Sequence, residues 1–427
     1  MLGVRLGAPG GKLDVRIAVA SSGLGHVARG VEAWAADLGR ALARRGLDAT
    51  LYKGGGQAVE PYEQVIPCWQ RAALKTNRLM RVMPRGTWRI GLGSTFEIEQ
   101  TTFTFGLIRH LRRESIDILH TQEPQSANMV AWARRLGLVP TRTILANGTK
   151  EPLEFLAKMD YVQHLSPWHL EEVRRAGVWK PTWTAIPNFI DTEMFRPQTG
   201  AALRRELGIP QDASVVLCAA AIKSDHKRVD YLLREFAAFR TANSTSRTWL
   251  VVAGGREPGT DGLLRMGHEL LGDRVRFLVS WPRHRMPELY GAVDLFVLCS
   301  LREMFGIVLI EAMASGLPCL VNKDPVIESV VGPGGTAIAM SEAGALTAAL
   351  ASHLANPDKI RKDGRRAREH CVAHFGEGRV VDQILEYYQF VIGGQRTSAN
   401  RGAEVEGREG SFMPGCSTRL ASSFLQS

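Results

Sequence analysis

The stretch Glu303-Met304-Phe305-Gly306-Ile307-Val308-Leu309-Ile310-Glu311 comes just after the apolar run Leu295 to Cys299. A carboxylate, a glycine turn and an apolar helix bearing a second carboxylate describe a loop at the carboxyl end of a parallel strand, where open α/β sheets bind ligands. The helix is expected to end at Ser315, with Gly316 as its cap and Pro318 beyond. Its start, at Phe305, Gly306 and Ile307, offers unpaired backbone N–H groups and a positive dipole end to an anion such as a diphosphate. Glu303, ahead of the helix, can hydrogen-bond sugar hydroxyls, and Glu311, two turns on, can reach a ribose. An amphipathic helix with two solvated acids is the weaker reading, because Glu311 lies inside the apolar run Ile307 to Ala314, where an unpartnered charge is costly.

On either side of this stretch, β-branched runs alternate with segments of helical period, the pattern of a parallel sheet covered by helices. In the first half the strand candidates are Val15–Ala20, Ala49–Lys53, Ile116–Thr121, Thr143–Ala146 and Tyr161–Leu165. The second half repeats the scheme with Ser214–Ala221, Trp249–Ala253, Val275–Val279, Leu295–Cys299 and Pro318–Val321. A break near Asp191 to Pro197 reads as a linker. The expected division is a Rossmann-like domain over 13–192, a second over 193–375, and a helix over 376–392 returning to the first, with 1–12 and the Gly-, Ser-, Arg- and Glu-rich tail 393–427 disordered.

Composition excludes several classes. Hydrophobic residues make up 45% and charged residues 22%, as in soluble globular proteins, and no apolar run approaches the ~20 residues of a spanning helix. Arg5 and Lys12 have no continuous apolar segment between them, so no secretory leader is expected and a cytoplasmic protein is. Six cysteines without a C-x-x-C pair support neither a disulfide framework nor a zinc site. The basic excess lies almost wholly in the first 190 residues, with 25 basic against 16 acidic side chains. Such a domain can attract a phosphate-bearing or membrane partner or simply stay soluble; no nucleic-acid module accompanies it.

Ser21-Ser22-Gly23-Leu24-Gly25-His26 follows the first strand, and Gly23 and Gly25 would let the backbone approach a phosphate closely. With Val27-Ala28 the loop also fits a dinucleotide fingerprint, but the second strand ends Leu51-Tyr52-Lys53-Gly54, without the acid an NAD-binding ribose needs. Nowhere is there an Asp-x-Asp to hold a divalent ion, so no metal cofactor is expected.

From Val15 to Tyr388 the chain resembles the retaining glycosyltransferases of family 4. The resemblance rests on Glu303-Met304-Phe305-Gly306 with Glu311-Ala312-Met313-Ala314-Ser315-Gly316-Leu317-Pro318, on the strand Ala292 to Leu298, and on Ile186-Pro187-Asn188-Phe189-Ile190-Asp191 with Phe195 and Pro197. It implies an α/β protein of the GT-B type, two Rossmann-like doubly wound domains facing across a cleft. The implied activity is retaining, metal-independent transfer of a hexosyl-type sugar from a nucleotide-sugar donor to a hydroxyl of a glycan or lipid-linked acceptor. It assigns donor-sugar contacts to Glu303, ribose contact to Glu311, and backbone contacts to Gly306 and Ile307. Lys227 would hold the diphosphate, while Ala221 stands where relatives carry an arginine, leaving Lys223 or Arg228 to compensate. His120, ending the strand Ile116–Leu119, would contact the donor sugar, and the Gly23–Gly25 loop would cover phosphate and acceptor. The rivals are a nucleotide-binding pseudo-enzyme, favoured by the missing arginine, and a nucleotide-sugar epimerase, which would need added acids in the cleft.

Between Glu63 and Glu97 no acid occurs, yet Arg71, Lys75, Arg78, Arg81, Arg85 and Arg89 do. A helix here, ended by Pro84, would put Arg71, Lys75, Arg78 and Arg81 on one side and Ala72, Leu79, Met80 and Met83 on the other, so 69–89 can be read as an anionic-membrane contact at the inner face or as an ordinary surface helix.

Overall fold

The computed structural model describes residues 15–27, 29–83, 87 and 91–393. Of the ends read as disordered, 1–12 and 394–427 lie outside the described residues, and Gly393 instead ends a helix.

Two all-parallel sheets form. The first holds β1 (Ile17–Ser21), β2 (Ala49–Lys53), β3 (Glu63–Val65), β4 (Ile118–Thr121), β5 (Arg142–Asn147), β6 (Tyr161–His164) and β7 (Thr184–Ala185) in the order β3-β2-β1-β4-β5-β6-β7. The second holds β8 (Ser214–Ala219), β9 (Thr248–Gly254), β10 (Val275–Val279), β11 (Leu295–Leu298), β12 (Cys319–Asn322) and β13 (Gly335–Ile338) in the order β10-β9-β8-β11-β12-β13. The central strands are near-continuous apolar runs because helices cover both faces of each sheet, so every position is buried. The strands sequence reading did not anticipate, β3, β7 and β13, are two to four residues long, sit at sheet edges and are only half-buried. Without a core to fill, they carry no apolar signature.

The strand order reverses between β1 and β4 in one sheet and between β8 and β11 in the other. At such a reversal the helices depart to opposite faces and leave a crevice at the carboxyl ends. One apolar cluster runs from the first sheet through Phe189, Ile190 and Phe195 into the second. The helix Glu377–Gly393 returns to the first domain, burying Val380, Ile384 and Tyr388 and placing the Tyr387 hydroxyl 2.7 Å from the Thr182 carbonyl. Ion pairs join the domains directly: Arg29 with Glu257 at 2.9 Å, and Arg283 in a two-pronged contact with Asp37 at 2.5 and 3.1 Å.

The basic segment forms a helix at Leu74–Val82, and Met83 after it is extended (φ −67, ψ 133), as a residue before proline prefers. Pro84, Arg85, Trp88 and Arg89 lie outside the described residues. Arg71 departs from the expected basic face: it precedes the helix and is drawn inward by Glu99, to which its guanidinium donates at 2.5 and 3.0 Å. Lys75, Arg78 and Arg81 remain exposed. Among the described residues no helix is long and apolar enough to cross a membrane.

Candidate active site

Four loops meet at the two crevices: those after β1 and β4 from the first domain and those after β8 and β11 from the second. The helix Gly30–Arg44 begins at the cleft, since a Cβ on Gly30 would lie 3.6 Å from Ile307 Cδ1.

After β11 the chain passes through Glu303 and reaches Gly306, whose φ of 85 turns it into the helix Ile307–Ala314. That helix has Ser315 at its C-cap and no side chain capping its N-terminus, so its first backbone N–H groups are free to face an anion. Phe305 itself is 2% exposed and packs edge-on against Phe375, so it anchors the turn from below. Glu303 pairs with Lys227 from the loop after β8, both side chains remaining 14% and 18% exposed. The pair brings the sugar-binding candidate and the diphosphate-binding candidate together at the switch point between β8 and β11. Lys223, on the same loop, lies 3.5 Å from Asp225. Arg228 turns away: its guanidinium donates to the Met340 carbonyl at 2.6 Å and stacks on Tyr231. Of the two proposed substitutes for the missing arginine, Arg228 is committed elsewhere and Lys223 is held only by the exposed Asp225.

Glu311 is almost wholly buried, and burial pushes its carboxyl up to about 7 against the opposing pull of Arg283 and the Tyr290 hydroxyl, which donates to it at 2.8 Å. Arg283 lies at the carboxyl end of β10 and bonds Asp37 across the cleft, so Glu311 sits beside an interdomain ion pair.

In the first domain the loop after β1 is pinned from below. Ser22 donates through its backbone N–H at 2.6 Å and its hydroxyl at 2.8 Å to Glu123, which follows β4. His26 lies 3.0 Å from Glu99. Burial alone would raise Glu99, but the bonds from His26 and Arg71 outweigh it and hold the carboxyl at about 2. Glu123 is pushed up to about 7 by burial despite its serine donors. Gly25, at φ 100, lies against the turn at Gly55, and Gly23 lies against the Glu32 carboxylate, 2.1 Å from where a Cβ would stand. These contacts require glycine for packing, whether or not a phosphate ever approaches.

His120 is placed differently from its expected role. It is 0% exposed, its Nδ1 is 2.8 Å from the Tyr388 hydroxyl, and Trp34 packs edge-on against its ring at 5.0 Å. Strand alternation turns position 120 toward the helices Gly30–Arg44 and Glu377–Gly393, and burial drives the imidazole down to about 3. The ring is a buried link to the C-terminal helix through Nδ1, while its Nε2 has no hydrogen-bond partner. Gln122, just after β4, turns toward the linker, its amide donating to Asn188 at 3.1 Å.

The fold and this cleft define a GT-B type protein, and the comparisons agree. A family model described as Glycosyltransferase Family 4 matches residues 28–194, and one described as Glycosyl transferases group 1 matches residues 201–370. The chain belongs to the family 4, group 1 glycosyltransferases. It is 34% identical over 227 residues to D-inositol 3-phosphate glycosyltransferase 2 of Catenulispora acidiphila, covering 51% of this chain and 53% of that protein. To N-acetyl-alpha-D-glucosaminyl L-malate synthase of Bacillus anthracis it is 27% identical, covering 66% and 76%. The chain spans about half the length of the first of these relatives. Among solved structures, sucrose-phosphate synthase from Thermosynechococcus elongatus superposes with a TM-score of 0.71 at 23% identity, over 89% of this chain and 100% of that one. HepE from Anabaena, solved with UDP and glucose, gives 0.68 at 17% identity, over 88% and 99%.

Proposed function

We propose that this protein transfers a sugar from a nucleoside-diphosphate sugar to a hydroxyl acceptor, with retention of configuration and without a metal ion. The carrying observation is the Lys227–Glu303 pair beside the uncapped N-terminus at Ile307, at the strand-order reversal of the second sheet. An ammonium and a helix N-terminus suit a diphosphate, and a carboxylate beside them suits sugar hydroxyls. The acceptor hydroxyl attacks the anomeric carbon as the bond to the diphosphate oxygen breaks. Its proton passes to the leaving diphosphate on the same face, while Lys227, Lys223 and the helix N-terminus stabilise the charge that develops there. Glu311 holds the ribose in every state and Glu303 orients the reacting sugar. A relative solved with UDP and glucose supports this reading of the donor side.

The test is a transfer assay over UDP-, GDP- and ADP-sugars with product anomer assigned by NMR and with EDTA present throughout. A retained anomer formed in chelator is the expected result; inversion, or activity restored only by added Mg²⁺ or Mn²⁺, contradicts the reading.

A peripheral membrane contact is a second element of the proposal. It is favoured by the helix Leu74–Val82, which exposes Leu74 and Val82, each 76% exposed, beside Lys75, Arg78 and Arg81. Apolar side chains standing in solvent among cations suit an anionic headgroup boundary.

A further inference from the structure

The proposed transfer leaves the acceptor open, and the first domain's wall of the cleft bears on it. Glu32 lies in the first turn of the helix Gly30–Arg44, two residues beyond the closest approach to Ile307, and beneath the loop at Gly23. It is 3% exposed, and its Oε2 has no hydrogen-bond partner. The nearest cation, Arg71, is 3.6 Å from Glu32 Oε1 but is committed to Glu99, which it meets with its backbone N–H at 2.6 Å and two guanidinium N–H groups. Among the described residues this wall therefore carries more carboxylate than it neutralises.

In the same sheet, β5 and β6 end in further hydrogen-bonding groups, with Lys150 as the cation acting on His169. Asn147 Oδ1, both ring nitrogens of His164 and Nδ1 of His169 lack partners, and Asn147 and His164 are 4% and 0% exposed. Burial holds both imidazoles below their usual range, so at neutral pH they offer hydrogen bonds rather than charge.

We propose that Glu32 selects an acceptor that is a polyol without phosphate or carboxylate, and that it excludes anionic acceptors from this wall. The inference rests on the glycosyltransferase reading and deepens it. It also separates this chain from relatives whose names refer to inositol 3-phosphate and L-malate. A phosphate or carboxylate docked here would face a carboxylate whose Oε2 has no partner and whose one cation, Arg71, is shared with Glu99, in a site shielded from water where like charges repel strongly. A neutral hydroxyl would instead donate to the free Oε2.

The experiment is calorimetric titration of the full chain with D-inositol 3-phosphate, L-malate and myo-inositol, for wild type and Glu32→Gln. It is run alone and with whichever of UDP, GDP or ADP raises the melting temperature. The expected result is that Glu32→Gln binds the two anions about tenfold or more tightly than wild type does, and myo-inositol no better than wild type does. The inference is overturned if wild type binds either anion as well as the variant, or if neither protein binds an anion. Glu32→Ser serves the same comparison should the glutamine variant not fold. If none of the nucleotides stabilises the wild type, the donor reading itself fails, which is a separate outcome from an unchanged anion affinity in a nucleotide-binding protein.

Discussion

Lys227 and Glu303 hold one another in the structure, and in the proposed reading donor binding separates them, the ammonium moving to diphosphate and the carboxylate to sugar hydroxyls. Removing either should therefore cost a charge-assisted bond to the donor, on the order of 1.5–3 kcal/mol. Lys227→Ala is expected to lower kcat/KM more than Lys223→Ala, because Lys223 reaches only Asp225 from the rim; equal losses would mean that the two lysines share the diphosphate evenly. Glu303→Gln should act chiefly on kcat and Glu311→Ala on nucleotide affinity, since the proposed reading has one orient the reacting sugar and the other hold the ribose. His120 carries a pH prediction of another kind. Its folded pKa, about 3, lies below the ordinary 6.5, so the stability of keeping it neutral is present above pH 6.5 and is lost as pH falls toward 3. His120→Gln should then show a smaller drop in melting temperature between pH 6.5 and 4 than wild type, with donor affinity little changed. A loss of transfer at unchanged stability would return His120 to the site. Glu303 and Lys227 were legible in the sequence because each lies in a loop that follows a strand, and Glu311 because it is an acid inside the apolar helix Ile307–Ala314. The burial of His120 was not, because a short run such as Ile118–Thr121 is apolar on both faces and does not say which face meets the cleft.

The element at the centre of the site is the turn from β11 into the helix Ile307–Ala314. Gly306 makes it possible at φ 85, and a Cβ there would stand 3.0 Å from Leu309 Cδ1. Gly306→Ala should cost about 1–2 kcal/mol from backbone strain alone and weaken nucleotide binding by tilting the first N–H groups. Denaturant melts and titrations with the stabilising nucleoside diphosphate would read both, and an unchanged affinity would remove this helix from the phosphate site. The start and end of this helix were legible from Gly306, Gly316 and Pro318. The helix Leu74–Val82 was legible only in part, because its periodicity could not show that Arg71 would leave the basic face for Glu99. Its proposed membrane contact predicts co-sedimentation with anionic vesicles at low salt, lost in high salt and reduced in a Lys75→Ser, Arg78→Ser, Arg81→Ser variant. Protein left in the supernatant under the first condition would make it an ordinary surface helix. Arg71 is kept out of that test because it holds the loop network.

At the scale of the whole molecule, the two-domain plan followed from alternating strands and helices, while the contacts that fix the domains against each other did not. Asp37 and Arg283 are 246 residues apart, as Tyr388 and His120 are 268 apart, and no local pattern announces such pairs. They matter because the cleft works only if the loops after β1 and β4 face those after β8 and β11. In the proposed function this cleft binds a nucleoside-diphosphate sugar through Lys227, Glu303 and the helix start at Ile307. A thermal-shift titration of wild type and Lys227→Ala with UDP, GDP, ADP and their sugars tests this, since a ligand that binds only the folded state raises the melting temperature. One nucleotide and its sugar should stabilise the wild type, and Lys227→Ala should lose most of that shift; no stabilising nucleotide, or an equal shift in the variant, would rule the donor site out.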